Sequence, residues 1–157
     1  MQVSASTYFD VTGNGRSVIA LRGLAGQISG AGAFGLPPDQ RFYAGGSTTV
    51  RGFRYQSVGP QFPDGNPTGG TTVTAGTVEW RQRLWGNWGA AAFIDAGEVT
   101  AHGLPLSAGS DVWRFGAGVG ARYYTSIGPI RVDVAVPVNR APGGDAFEFY
   151  VGLGEAF

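Results

Sequence analysis

Hydrophobic and polar side chains alternate along most of this chain with a period of two residues. The alternation is clearest in one segment, whose two sets of alternate positions are Trp113, Phe115, Ala117, Val119, Ala121 and Tyr123 against Arg114, Gly116, Gly118, Gly120 and Arg122. Successive side chains of a β-strand point to opposite faces, so this period predicts a strand. The same pattern recurs between groups of turn residues and predicts an all-β fold of seven strands.

The predicted strands are joined alternately by short turns and by longer loops. They cover residues 2–11, 17–29, 72–84, 88–97, 113–123, 130–139 and 147–157. The short turns lie at residues 13–16, 85–87 and 126–129. Connections this short are possible only between antiparallel neighbours, so the sheet is predicted to be antiparallel.

Charged side chains are sorted by face in the last five predicted strands. Every Arg and Asp there falls opposite the apolar residues, and the exceptions among the glutamates are Glu98 and Glu155, both near strand ends. An apolar exterior, a polar lumen and aromatic residues near strand ends are typical of a transmembrane β-barrel. A soluble sandwich or barrel with apolar faces turned inward is the alternative. The glycines crowded among the charges favour the membrane interpretation.

An odd number of strands affects this interpretation. Bacterial single-chain barrels have an even number of strands, and an open sheet edge cannot be satisfied in lipid. We therefore expect the chain to be the C-terminal part of a larger barrel. An eighth strand, or a second copy in a homo-oligomer, is the alternative means of closure.

Composition narrows the functional classes. The formal net charge of the 157 residues is zero, so a nucleic-acid partner is not expected. There is no cysteine, which excludes disulfides and thiolate metal sites. The sequence has no run of eighteen apolar residues, so a membrane-spanning helix is not expected. The one histidine, His102, lies in a predicted loop without a metal cluster or a Ser/His/Asp arrangement, so neither an enzyme nor a cofactor site is expected.

The segment 31–70 has no sustained strand or helix period. It contains too many large apolar groups for a disordered tether: Phe42, Tyr43, Val50, Phe53 and Tyr55. At its centre Arg51 stands between apolar anchors in Val50-Arg51-Gly52-Phe53. We predict a loop that folds back into a cavity and brings Arg51 to an acidic partner. The alternative is an arginine exposed at a loop tip.

Three motifs in order carry a family resemblance. They are Val50-Arg51-Gly52-Phe53 in the loop, Phe93-Ile94-Asp95-Ala96-Gly97 in a strand, and the final two strands with Gly128–Pro137 and Phe149–Gly154. On these the chain resembles the C-terminal barrel half of the BamA/TamA outer-membrane assembly superfamily, and within it the branch of the translocation and assembly module subunit TamA is the most similar. The resemblance implies about seven strands of a 16-stranded barrel, with residues 31–70 as an inward-folded extracellular loop and residues 71–157 as the last five strands.

The resemblance also implies roles for particular residues. Arg51 is expected to reach acidic residues of the inner wall, with Asp95 as the matched strand acid and Glu79 as a second acceptor. The last strand resembles a β-signal, the C-terminal pattern read by the assembly machinery, through Tyr150, Gly152 and the terminal Phe157. Glu155 departs from that pattern.

The expected function is a non-enzymatic insertase in the outer membrane of Gram-negative bacteria. Its expected partners are outer-membrane lipid, client outer-membrane or autotransporter proteins, and a periplasm-spanning protein. A two-partner-type polypeptide secretion pore is the alternative, in which Arg51 and its loop gate a channel. An enzyme on a small barrel and a truncated or engineered barrel without independent activity were the remaining possibilities.

Overall fold

The computed structural model describes residues 1–101, 113–140 and 144–157, and across these residues it shows one antiparallel sheet of seven strands in chain order. The strands are β1 (Gln2–Asp10), β2 (Ser17–Gln27), β3 (Thr72–Arg83), β4 (Trp88–Thr100), β5 (Arg114–Thr125), β6 (Gly128–Pro137) and β7 (Glu148–Leu153). The predicted all-β antiparallel fold is thus confirmed. The sheet is not closed, because β1 and β7 lie at its two edges.

The strand register assigns each residue to one of two faces. Directly paired residues share a face, and the row Ala20, Glu79 and Phe93 lies on the face that the long loop covers, which we call the inner face. The opposite, outer face presents large apolar side chains to the surroundings: Val78, Trp80, Ile94, Val119, Val134 and Val151 are each at least 40% exposed. An exposed apolar band of this extent is what a barrel presents to lipid. The soluble alternative, with these residues turned inward, is wrong.

The sheet curls toward its inner face. In a flat sheet, six strand spacings of about 4.8 Å would hold β1 and β7 roughly 29 Å apart. Phe157, four residues beyond β7, nevertheless stacks on Tyr8 of β1 with 6.5 Å between the ring centroids. Four residues reach at most about 13 Å, so curvature must supply the rest of the approach.

The last strand is shorter than its alternation predicted. β7 ends at Leu153, and Gly154 has a positive φ of 90°. Glu155 and Phe157 therefore leave the strand and turn to the inner side, where Glu155 meets arginines of β3 and β5. A strand continued over residues 147–157, as predicted, would place Glu155 and Phe157 on the outer face with Phe149, and this expectation is wrong. Parity could not foresee a chain reversal at a glycine.

The long connection between β2 and β3 spans residues 28–71 and contains two short 3-10 turns, Ala33–Gly35 and Pro38–Gln40. None of the helical segments in the described residues is long and apolar enough to cross a membrane. The loop histidine His102 lies outside the described residues.

Candidate functional site

The long loop is held in shape by its own contacts. Backbone bridges join Phe42 to Gly70 and Ala44 to Val58. The guanidinium of Arg41 donates to the carbonyl oxygens of Leu36 and Thr68, at 2.7 Å and 2.8 Å. These bonds close the base of the loop, so its central residues are presented in one conformation.

Apolar side chains fix the loop to the inner face. Val50 is fully buried and Phe53 is 7% exposed. They join a cluster that also contains Leu24, Ala44, Val58, Val73, Ala75 and Val99, drawn from the loop, β2, β3 and β4. Fully burying one such side chain contributes about 1.5–3 kcal/mol, so the two anchors hold the residue between them close to the wall.

Arg51 is buried against the carboxylates of two strands. Its Nε and Nη2 donate to Asp95 of β4 at 2.7 Å and 3.0 Å, and its Nη1 donates to Glu79 of β3 at 2.5 Å. Its backbone N–H also donates to Asp95, at 2.9 Å. The side chains of Arg51, Glu79 and Asp95 are at most 2% exposed. A guanidinium matches a carboxylate with two parallel hydrogen bonds, so this contact fixes orientation as well as charge.

The environment of Arg51 also acts on its protonation. Burial lowers the pKa of the guanidinium, whereas the Asp95 and Glu79 carboxylates raise it by more, so the pKa of Arg51 lies above its ordinary value. The guanidinium therefore stays protonated as the positive member of the contact.

An aromatic ring completes the seat of Arg51. The guanidinium carbon lies 3.4 Å from the centroid of the Phe93 ring, in the geometry of a cation–π contact. The sequence placed Phe93 in a strand motif but gave it no contact with the loop. Its position two residues before Asp95, on the same face of β4, was the available signal.

Glycines on β5 leave space for the loop and for the strand side chains around it. A Cβ at Gly116 would lie 1.7 Å from the carbonyl oxygen of Arg51, and one at Gly118 would lie 2.5 Å from the Phe93 ring. A Cβ at Gly120 would meet the carboxylate of Asp133. We call these three residues the glycine trough. On the loop side, Gly52 has a φ of 94°, and a Cβ there would lie 2.8 Å from the backbone of Val136.

The Arg51 contacts belong to a larger set of ion pairs, which we call the inner-face charge cluster. It consists of four arginines and four carboxylates: Arg51, Arg81, Arg122, Arg131, Glu79, Asp95, Asp133 and Glu155. Arg81 donates to Glu79 at 2.7 Å, and Arg122 pairs with Asp133. The formal charges of the cluster cancel, which removes much of the cost of burying them. Sequence reasoning assigned a role only to Arg51, Glu79 and Asp95, although the shared inner face marked Arg81, Arg122, Arg131 and Asp133; Glu155 was assigned to the opposite face.

The residues of the predicted β-signal lie on the inner side too. The hydroxyl of Tyr150 accepts from the backbone N–H of Gly52 and donates to the carbonyl of Phe53, each at 3.0 Å. Gly152 leaves space for a guanidinium, because a Cβ there would lie 2.8 Å from Nε of Arg131. The Phe157 ring lies 5.1 Å from the guanidinium carbon of Arg81. Whether these residues act as a recognition signal stays a prediction.

The site is built to hold a loop by charge and shape. Among residues 1–101, 113–140 and 144–157, no group of three or more His, Asp or Glu side chains is arranged to bind a metal ion. One more ion pair, between Arg54 and Asp145, lies outside the inner-face charge cluster, at the exposed end of the loop, where the Arg54 side chain is 64% exposed.

Comparison with known proteins agrees with this architecture. The family model of the Omp85 superfamily domain matches residues 1–157, the whole chain. Among solved structures, the chain is similar to BamA from Haemophilus ducreyi lacking POTRA domains 1–3, with a TM-score of 0.72 and 24% sequence identity. The match covers 94% of this chain and 34% of that one, so the chain spans about one third of the length of that protein. This likeness shows a common fold.

Proposed function

Because this chain belongs to the Omp85 superfamily, we propose that it forms the C-terminal part of the membrane barrel of a factor that inserts and assembles proteins in the bacterial outer membrane. The exposed apolar outer face suits the bilayer, and the polar inner face suits a lumen. The clients are other β-barrel or autotransporter proteins of a Gram-negative cell. Within the superfamily we assign the chain to the TamA-like branch, with a periplasm-spanning protein as partner and no enzymatic step.

The main support for this proposal is Arg51, the buried cation of the loop. Two carboxylates and an aromatic ring fix this cation on the inner side of the wall. The loop ties β3, β4, β5 and β7 to one another on the inner side. It thereby restrains the last strands of the wall, including the edge strand β7.

The edges of the sheet provide the means of assembly. β1 and β7 each pair on one side only within the described sheet. An unpaired strand edge offers a row of backbone donors and acceptors to an extended segment of another protein. In the proposed mechanism, the edge of β7 is where an incoming client strand would add.

The second candidate is a polypeptide secretion pore. The loop that fills the inner side would then act as its gate, and Arg51 would hold that gate in the closed position. Deleting residues 41–60 distinguishes the two. Higher ion conductance without a defect in client folding would support the pore, whereas slower client folding supports the assembly factor.

The direct test is reconstitution of the natural protein that carries this chain in lipid vesicles. The measured quantity is the rate at which an added outer-membrane protein folds, followed by its heat-modifiable mobility on a gel. We expect Arg51→Ala to slow folding of the client and Arg51→Lys to restore the rate in part. Arg54→Ala is the matched control, since it removes an exposed cation three residues away. Equal client folding by Arg51→Ala and wild type would refute the proposal.

A further inference from the structure

The terminal segment of the chain contacts the docked loop at one point and the inner-face charge cluster at another. The Tyr150 hydroxyl of β7 bridges the loop backbone between Gly52 and Phe53. Beyond β7, the Glu155 carboxylate lies 3.5 Å from Arg81 and 3.8 Å from Arg122. The loop and the terminus therefore both contact the inner-face charge cluster, Arg51 through its carboxylates and Glu155 through its arginines.

A path of alternating charges joins the two. Arg51 of the loop donates to one oxygen of Glu79, and Arg81 donates to the other. Arg81 in turn faces Glu155. Each member of this path is flanked by opposite charges. Removing a member at one end leaves its neighbour with less compensation, and the effect passes along the path.

Charge balance makes the coupling cooperative. With the loop and the terminus both in place, the inner-face charge cluster has equal numbers of arginines and carboxylates. Departure of Arg51 leaves one negative charge in excess, which disfavours the nearby Glu155. Departure of Glu155 leaves one positive charge in excess, which disfavours Arg51. Departure of both restores balance.

The polar contacts of Glu155 are weaker than those of Arg51. Within the described residues, Oε2 of Glu155 is buried without a hydrogen bond and is held by charge alone. Arg51, by contrast, makes four short hydrogen bonds to its carboxylates. A change in the loop should consequently be expressed first as a change in the terminus.

We propose that Tyr150 and Glu155 are positioning residues that couple loop docking to the placement of the terminal strand, so that release of the loop frees residues 154–157 and release of the terminus loosens the loop. As a device for admitting a client strand, this rests on the proposed function. The coupling itself is a property of the barrel without a client. Reciprocity between the two events is required, because coupling between two sites acts equally in both directions.

Cysteine labelling tests the coupling, since these 157 residues contain no cysteine; any cysteine elsewhere in the natural protein is first replaced by serine. In the natural protein carrying this chain, Ala156→Cys reports the terminus. Ala44→Cys, at a position 2% exposed, reports the loop. The rate of reaction with a maleimide is measured in vesicles without any client. Heat-modifiable mobility shows that each variant is folded.

In the Ala156→Cys background, Arg51→Gln should raise the labelling rate roughly fivefold or more, the lower end of ordinary allosteric coupling. Arg54→Gln is the control and should leave the rate unchanged. In the Ala44→Cys background, Tyr150→Phe and Glu155→Gln should each raise the rate. The double variant R51Q/E155Q should expose the loop less than the two single effects combined, because its charges again balance.

The labelling rates decide the proposal independently of client folding. Unchanged labelling of Ala44→Cys by both Tyr150→Phe and Glu155→Gln would overturn the coupling, even if Arg51→Gln failed to fold. Unchanged labelling of Ala156→Cys in a folded Arg51→Gln protein would overturn it as well. Coupled labelling together with normal client folding in Arg51→Ala would uphold the coupling and refute the proposed function.

Discussion

Replacing Arg51 with alanine should strongly destabilise the docked loop. The substitution leaves Asp95 at 1% exposure and Glu79 at 0% exposure without their shared cation. Breaking a buried ion pair by removing one partner costs about 3–5 kcal/mol. The lost contact with the Phe93 ring adds about 0.5–2 kcal/mol. At 1.36 kcal/mol per factor of ten, the first effect alone changes the docking equilibrium by roughly 10²–10⁴.

Arg51→Lys separates charge from geometry. Lysine keeps the positive charge, but a single ammonium group cannot reproduce a fork that reaches Asp95 through two nitrogens and Glu79 through a third. We expect it to recover part of the loss, leaving a deficit of roughly 1–3 kcal/mol for the unmet hydrogen bonds. The order of stability is therefore wild type, then Arg51→Lys, then Arg51→Ala.

Urea unfolding in lipid vesicles, followed by tryptophan fluorescence and by gel mobility, measures these differences. A double-mutant cycle of Arg51→Gln with Asp95→Asn assigns the partner, since residues in direct contact are not additive. Additive losses would point to Glu79 as the main acceptor. An Arg51→Ala protein within about 0.5 kcal/mol of wild type, the range of a neutral surface change, would refute the docked arrangement.

Two further outcomes follow from the geometry around the loop. Gly116→Ala should displace the loop, because its Cβ would lie 1.7 Å from the Arg51 carbonyl oxygen. Gly76→Ala is the control and should be tolerated, since the nearest atom to its Cβ would be 3.7 Å away. Equal unfolding midpoints for the two variants would contradict this. The hydrogen bond from Arg54 holds the pKa of Asp145 below its ordinary value of 3.8, so this exposed contact is complete above that value and is lost as the pH falls through the lowered one. An NMR titration of the carboxyl group that centres above 3.8 would be inconsistent with the pair.

The strands were predictable because the alternation of residue types extends along most of each strand. In β5, alternate apolar residues and glycines or arginines left one choice of face, and the pairing of Asp95 with Gly116 follows once the strands are in order. Turn residues such as Gly13 and Gly86 fixed where the chain reverses. Local alternation and turn chemistry therefore gave nearly all of the architecture.

The candidate site was predictable only in part. The motif around Arg51 and the parity of Glu79 and Asp95 placed three members on one face. The contacts of Phe93 and Tyr150 depend on how far the loop penetrates and how tightly the sheet curls, which are tertiary properties. No periodic pattern encodes them.

The C-terminus was the clearest error, and its cause is local. The alternation of Phe149, Val151 and Leu153 predicts a strand that continues to Phe157. A single residue with positive φ, Gly154, ends the strand and redirects the chain. Glycine permits this reversal without requiring it, so the sequence alone does not decide between a longer strand and an inward turn.

The glycine trough limits how this protein can be re-engineered. A graft of residues 41–60 onto another barrel would carry Arg51 and its apolar anchors but not the space that receives them. An acceptor with alanine or a larger residue opposite Asp95 would exclude the graft by steric overlap, however well its acids were placed. The loop and β5 of this protein would therefore have to be transferred together, so that they replace both the loop and the matching strand of the host barrel.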